Sequence, residues 1–148
     1  MNTHPYARAY MAGVVVPTMV LLLVLAVFIL LRLILRIPAP IERIIVFPMA
    51  VVPNVFGLWN MLYVKLRGSR QISIGGFGAL LPFVLAPLGG FVACSLGFLS
   101  ATSSGLEYFN AFRVNYGLLA AGFCVVIVVY YLGWKYLVNF FNGVVGIA

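Results

Sequence analysis

Apolar positions in this chain neither alternate nor keep to one helical face. They run together in four long stretches, Met11–Leu31, Ile44–Val64, Phe77–Leu99 and Val114–Trp134, with charges only outside them. At ~1.5 Å rise per residue, a run of about 21 residues covers roughly 31 Å, the thickness of a hydrocarbon core of ~30 Å. A stretch such as VLLLVLAVFILL has none of the two-residue alternation of a membrane β-strand. The pattern predicts an all-α integral membrane protein in a single membrane domain, residues 1–148. With helical flanks included, its four hydrophobic segments are 11–35, 44–64, 77–99 and 114–136.

The first segment is longer than the ~7–15 residues of a signal-peptide core and is followed by no small-x-small cleavage site, so it reads as a retained span. Arg32 and Arg36 are four residues apart and are expected on one helical face, snorkelling to one interface. Pro17 is expected within the first two helical turns, where a missing N–H costs least. Tyrosines and tryptophans gather at the segment ends, among them Tyr10, Trp59, Tyr63, Tyr116 and Trp134, as amphipathic rings do at headgroup level. The apolar tail Leu137–Ala148 can extend the last helix or lie along the interface.

The second segment, IIVFPMAVVPNVFGLWNMLYV, is interrupted by Pro48, Pro53, Asn54, Gly57 and Asn60. Two forms are open: a kinked but complete span, or a Pro/Gly-broken re-entrant hairpin. As a complete span it puts Arg8, Lys65, Arg67, Arg70 and Lys135 on one side and Arg32, Arg36, Arg43 and Arg113 on the other, which sets no orientation. As a re-entrant segment it gathers all but Arg8 and Arg113 on one side, the asymmetry that the positive-inside rule favours. That count places the N-terminus outside and the C-terminus in the cytoplasm of a bacterial inner (plasma) membrane.

Composition narrows the chemistry. The chain is 65% hydrophobic and 7% charged, against about 25% charged in soluble domains, so its surface cannot be mostly water-facing. With 1 His, in the N-terminal tail, and 2 acidic residues, a multi-His metal site or a carboxylate-lined proton path is not expected. No catalytic residue, metal ligand or cofactor is predicted. The net charge of +7 resides at segment ends, where Arg32, Arg36, Arg43, Lys65, Arg67 and Arg70 read as headgroup contacts rather than a nucleic-acid surface.

Gly89, Ala93, Gly97 and Ala101 recur every four residues in the third segment, and Gly117 and Ala121 repeat that spacing in the fourth. Such stripes allow close helix approach, so these positions are expected to pack helices. Gly75-Gly76-Phe77-Gly78 lacks the Lys-Ser/Thr of a phosphate loop and reads as a flexible entry to the third segment. Ser104 and Glu107 match a helix capping box, and Glu107 with Arg113, Asn110 and Asn115 forms an alternative ion or headgroup site. Glu42-Arg43, after Pro38 and Pro40, reads as a first helical turn. Asn54, Trp59 and Asn60 are the candidates for contacts beyond packing, with interhelical hydrogen bonding the leading role for the amides. Cys94 and Cys124 are not expected to pair.

These features suit a non-catalytic subunit or assembly partner of a larger membrane complex, with the bilayer and other membrane subunits, or further copies of the chain, as partners. A small homo-oligomeric channel or transporter is the alternative, and a lipid- or quinone-handling enzyme fits less well.

Overall fold

The computed structural model describes residues 4–36, 41–68, 71–108 and 112–147. Arg70 and Asn110, and the side chains of 41–47 and 112, including those of Glu42 and Arg43, lie outside the described residues. The chain divides into two compact units, Met1–Ile72 with Tyr136–Ala148, and Ser73–Lys135. Among the described residues three helical stretches, Pro5–Leu33, Ile74–Ser95 and Tyr116–Val144, are long and apolar enough to cross a membrane. The chain is mostly helical, but a three-stranded sheet lies between the third and fourth segments of a chain expected to be all-α.

The first unit is built on α1 (Pro5–Leu33) and α2 (Ile41–Leu66). Proline at the first helical position starts α1 without loss of a hydrogen bond. Its buried residues Ala9, Ala12, Gly13, Val16 and Pro17 recur at three- and four-residue steps, which places them on one narrow face. That face meets α2: a Cβ on Gly13 would lie 2.6 Å from the Phe56 carbonyl oxygen and 2.9 Å from the Gly57 Cα. Ala9 reaches Asn60 and Gly13 reaches Gly57, so the two helices run antiparallel. The small-residue contact between helices is therefore made by α1 and α2.

Several expectations change here. Pro48 and Pro53 lie inside one uninterrupted α2, so the second segment is neither broken nor a re-entrant hairpin. Packing along α1 holds the helix together although Pro53 deprives the Met49 carbonyl of its donor. The antiparallel course puts Arg8 with Lys65 and Arg67 at one end of the helix pair, so the charge asymmetry that favoured a cytoplasmic C-terminus loses its premise. α1 starts before Met11, which leaves Pro17 well inside the helix, buried. Arg32 and Arg36 do not share a helical face, because α1 stops at Leu33 and Arg36 adopts φ +52°.

The second unit opens with α3 (Ile74–Ala79), capped by Ser73, whose hydroxyl accepts from the Gly76 N–H at 3.1 Å. The glycine run is thus an ordered, capped helix and not a loose entry. Gly75 and Gly78 face α5 (Tyr116–Leu132) and the residues after it, for a Cβ on Gly75 would sit 2.9 Å from the Tyr131 ring and one on Gly78 2.0 Å from Trp134 Cγ. After a turn at Leu80–Leu81, α4 (Pro82–Ser95) follows, and Phe83 meets Phe123 of α5 edge-on, with ring centroids 5.1 Å apart.

α4 ends in a Schellman motif: Gly97, at φ +73°, donates to the Cys94 carbonyl (3.0 Å) and Phe98 to that of Ala93 (2.8 Å). The expected stripe fails for this reason. Gly97 is the left-handed cap, Ala101 is in a strand, and a Cβ on Gly89 would meet nothing within 4 Å. Strands β1 (Leu99–Thr102), β2 (Gly105–Tyr108) and β3 (Phe112–Asn115) then form an antiparallel meander. Asn115 caps α5 by accepting from the Leu118 N–H at 2.7 Å. Beyond Leu132 the helix widens into a π-turn (Gly133–Val138) and continues as α6 (Asn139–Val144), so the apolar tail extends the last helix.

Candidate functional site

The polar centre of the first unit is a pair of fully buried amides, Asn60 on α2 and Asn142 on α6. Asn60 Nδ2 donates to Asn142 Oδ1 (2.7 Å) and to the Ala9 carbonyl (2.8 Å), and Asn142 Nδ2 donates back to Asn60 Oδ1 (3.1 Å). Both Asn60 N–H groups and its oxygen are thereby used, which removes the cost of burying them. The arrangement ties three helices with two side chains. Local chemistry presents Asn142: Gly146, at φ +71°, closes α6 with Gly146 N–H to the Gly143 carbonyl (3.0 Å) and Ile147 N–H to that of Asn142 (2.8 Å). Val138, one turn before Asn142, and Ile147 after it are also buried.

A second constellation lies on the same helix pair. The Tyr10 hydroxyl donates to Asn54 Oδ1, and Asn54 Nδ2 turns back to the Ala50 carbonyl at 2.7 Å. Asn54 stays exposed at the flank of the α1–α2 contact, while Gly57, beside it, lets the Tyr10 ring approach. Trp59 is half-buried on α2.

The third constellation is in the sheet. Glu107 is opposite Arg113 in the β2–β3 register, and Arg113 Nη2 lies 3.9 Å from Glu107 Oε2. Arg113 Nη1 donates to Ser104 Oγ at 3.3 Å. Ser104 sits in the two-residue loop between paired Thr102 and Gly105, so the capping box does not exist. The residues match the pattern, but Glu107 is in a strand and the helix start it would cap is absent. Asn115 is spent on the α5 cap.

Sequence reasoning named Asn54, Asn60, Glu107 and Arg113 but missed Asn142 and the hydrogen bond made by Tyr10. A signal for Asn142 was present, because it falls four residues after Val138 in an apolar tail whose other polar side chain is Asn139. Gly117 and Ala121 lie exposed on α5, with open space around Gly117 apart from the Asn115 side chain at 3.5 Å. Arg32, Arg36, Lys65 and Arg67 are exposed near helix ends. Lys135 Nζ lies 5.7 Å from the centre of the Tyr131 ring. Cys94 and Cys124 are free and exposed. Among the described residues no three His, Cys, Asp or Glu side chains come together. The chain matches no known protein-family model, no curated protein and no solved structure.

Proposed function

We propose that this chain is a non-catalytic subunit that docks into a larger membrane complex through α5. One observation carries the reading: α5 has no buried residue, and Gly117, Ala121, Cys124 and Val128 are all exposed on it. Their four-three-four spacing makes a straight seam of small side chains, the pattern that lets a second helix approach at a shallow left-handed crossing. An apolar helix needs no such seam merely to face lipid. In hydrocarbon, where burial of apolar surface gives no drive, close dispersion contact along a seam of this kind is the available source of affinity.

The test is purification from native membranes in mild detergent, with stoichiometry read by native mass spectrometry. A foreign membrane protein at fixed ratio, lost in an Ala121→Phe variant that remains folded, is the expected result. A chain that purifies only with itself and supports ion or solute flux in vesicles would replace this reading with a channel.

A further inference from the structure

We infer that a second copy of this chain docks on the exposed flank of α2, with the two Asn54 amides paired across the two-fold axis. The face consists of Ala50, Asn54, Leu58 and Lys65, exposed at steps of one or two helical turns, with half-buried Met61 between the last two. It flanks the buried stripe Pro53, Phe56, Gly57 and Asn60 that meets the rest of the unit, and Tyr10 of α1 borders it at Asn54.

The argument is one of donors and acceptors. Asn54 lies at the middle of the apolar run Ile44–Val64, so α2 seated in a bilayer along that run holds the amide in hydrocarbon, where water supplies no partner. One of its two N–H groups goes to the Ala50 carbonyl, and its oxygen accepts from Tyr10. That leaves one N–H and one oxygen lone pair without a partner among the described residues, on an exposed side chain. An amide with one donor and one acceptor left over is self-complementary: a second copy related by a two-fold axis along the membrane normal offers the same groups at the same depth. Each amide then donates to the other, as Asn60 and Asn142 do within the chain. A two-fold contact brings identical residues together near the axis, so parallel α2 helices meet at Asn54 with Ala50 giving close approach and Leu58 packing one turn on. The Lys65 side chains, at the end of the face, extend to water. This surface is distinct from the α5 seam, so either can fail without the other.

The test uses the full chain with Cys94 and Cys124 replaced by serine, in membranes. Leu58→Cys is expected to give an oxidant-dependent covalent dimer, whereas Leu22→Cys, exposed on the side of α1 opposite its buried stripe, is not. Adding Asn54→Leu should weaken dimerisation by roughly tenfold, read as the fall in detergent dilution tolerated before monomer appears. Tyr10→Phe removes the contact within the chain but keeps the amide, so it should leave the dimer in place and separates pairing from folding. Folded Leu58→Cys protein that stays monomeric, or that crosslinks equally well with Asn54→Leu, overturns the proposal. So does a foreign protein crosslinked at position 58 in place of a second copy.

Discussion

Asn60 and Asn142, 82 positions apart in sequence, hold each other by two amide hydrogen bonds and so fix the C-terminal helix against α1 and α2. The pair carries a coupling that neither residue has alone. Truncating either side chain strands the other amide in a buried site, at a cost of about 1–3 kcal/mol. Asn60→Ala and Asn142→Ala should each lower the unfolding temperature in detergent, and the double variant should fall short of their sum by about 1 kcal/mol. Additive losses would show that the two amides do not act as a unit.

Gly13 and Gly89 are both helical glycines, yet they should respond oppositely to alanine. At Gly13 the new methyl lies 2.6 Å from a backbone oxygen of α2, which cannot swing aside. Gly13→Ala should separate α1 from α2 and cost about 1–3 kcal/mol. At Gly89 nothing lies within 4 Å, and alanine improves helix propensity by up to about 1 kcal/mol. Thermal unfolding of the two variants side by side checks the sign of each effect.

The helices were legible because hydrocarbon demands long uncharged runs, and Ile74–Ser95 and Tyr116–Val144 fall on the runs that hydropathy picks out. Their ends were not. Pro48 and Pro53 look like breaks when backbone rules are applied alone, but a partner helix packed alongside outweighs the two lost hydrogen bonds. The four-residue spacing of Gly89, Ala93, Gly97 and Ala101 presupposes one helix through all four. Gly97 ends that helix instead, by taking a left-handed conformation that a periodic count cannot register. Ser104 and Glu107 illustrate the same limit, since a capping pattern has meaning only where a helix begins. The Asn60 partner was hidden because long-range pairing leaves no local trace.

Gly97→Ala should therefore act through the backbone and not through helix packing. The side chain meets open space, but φ +73° costs an L-residue about 1–2 kcal/mol. Asparagine, which tolerates this region, should recover part of the loss. Equal stability of the glycine, asparagine and alanine forms would remove the Schellman account.

The Glu107–Arg113 pair should matter little to stability. Its 3.9 Å separation and the 56% exposure of the arginine side chain leave it well solvated. Glu107→Gln should change the unfolding free energy by less than about 1 kcal/mol, with the difference shrinking further at high salt. A larger effect that salt does not screen would mean that the sheet is covered by something in the native assembly.

Gly78 and Trp134 offer the sharpest test of the second unit. A Cβ on Gly78 would stand 2.0 Å from Trp134 Cγ, and Trp134 is 1% exposed, so the ring has nowhere to move. Gly78→Ala should cost about 1–3 kcal/mol or more through overpacking. Trp134→Ala alone should cost about 3–5 kcal/mol, because it empties a space that the surrounding helices cannot wholly fill. In the double variant the methyl introduced by Gly78→Ala enters the space that the indole vacates, so clash and cavity partly cancel. The expected loss is smaller than the sum of the singles by at least about 1 kcal/mol, a coupling typical of residues in direct contact. Such rescue cannot arise from glycine's flexibility or from generic loss of an aromatic ring. It requires that α3 lie against Trp134 at backbone distance. A strictly additive cycle would place the two residues apart and remove the close packing that lets a glycine-rich run begin a helix here.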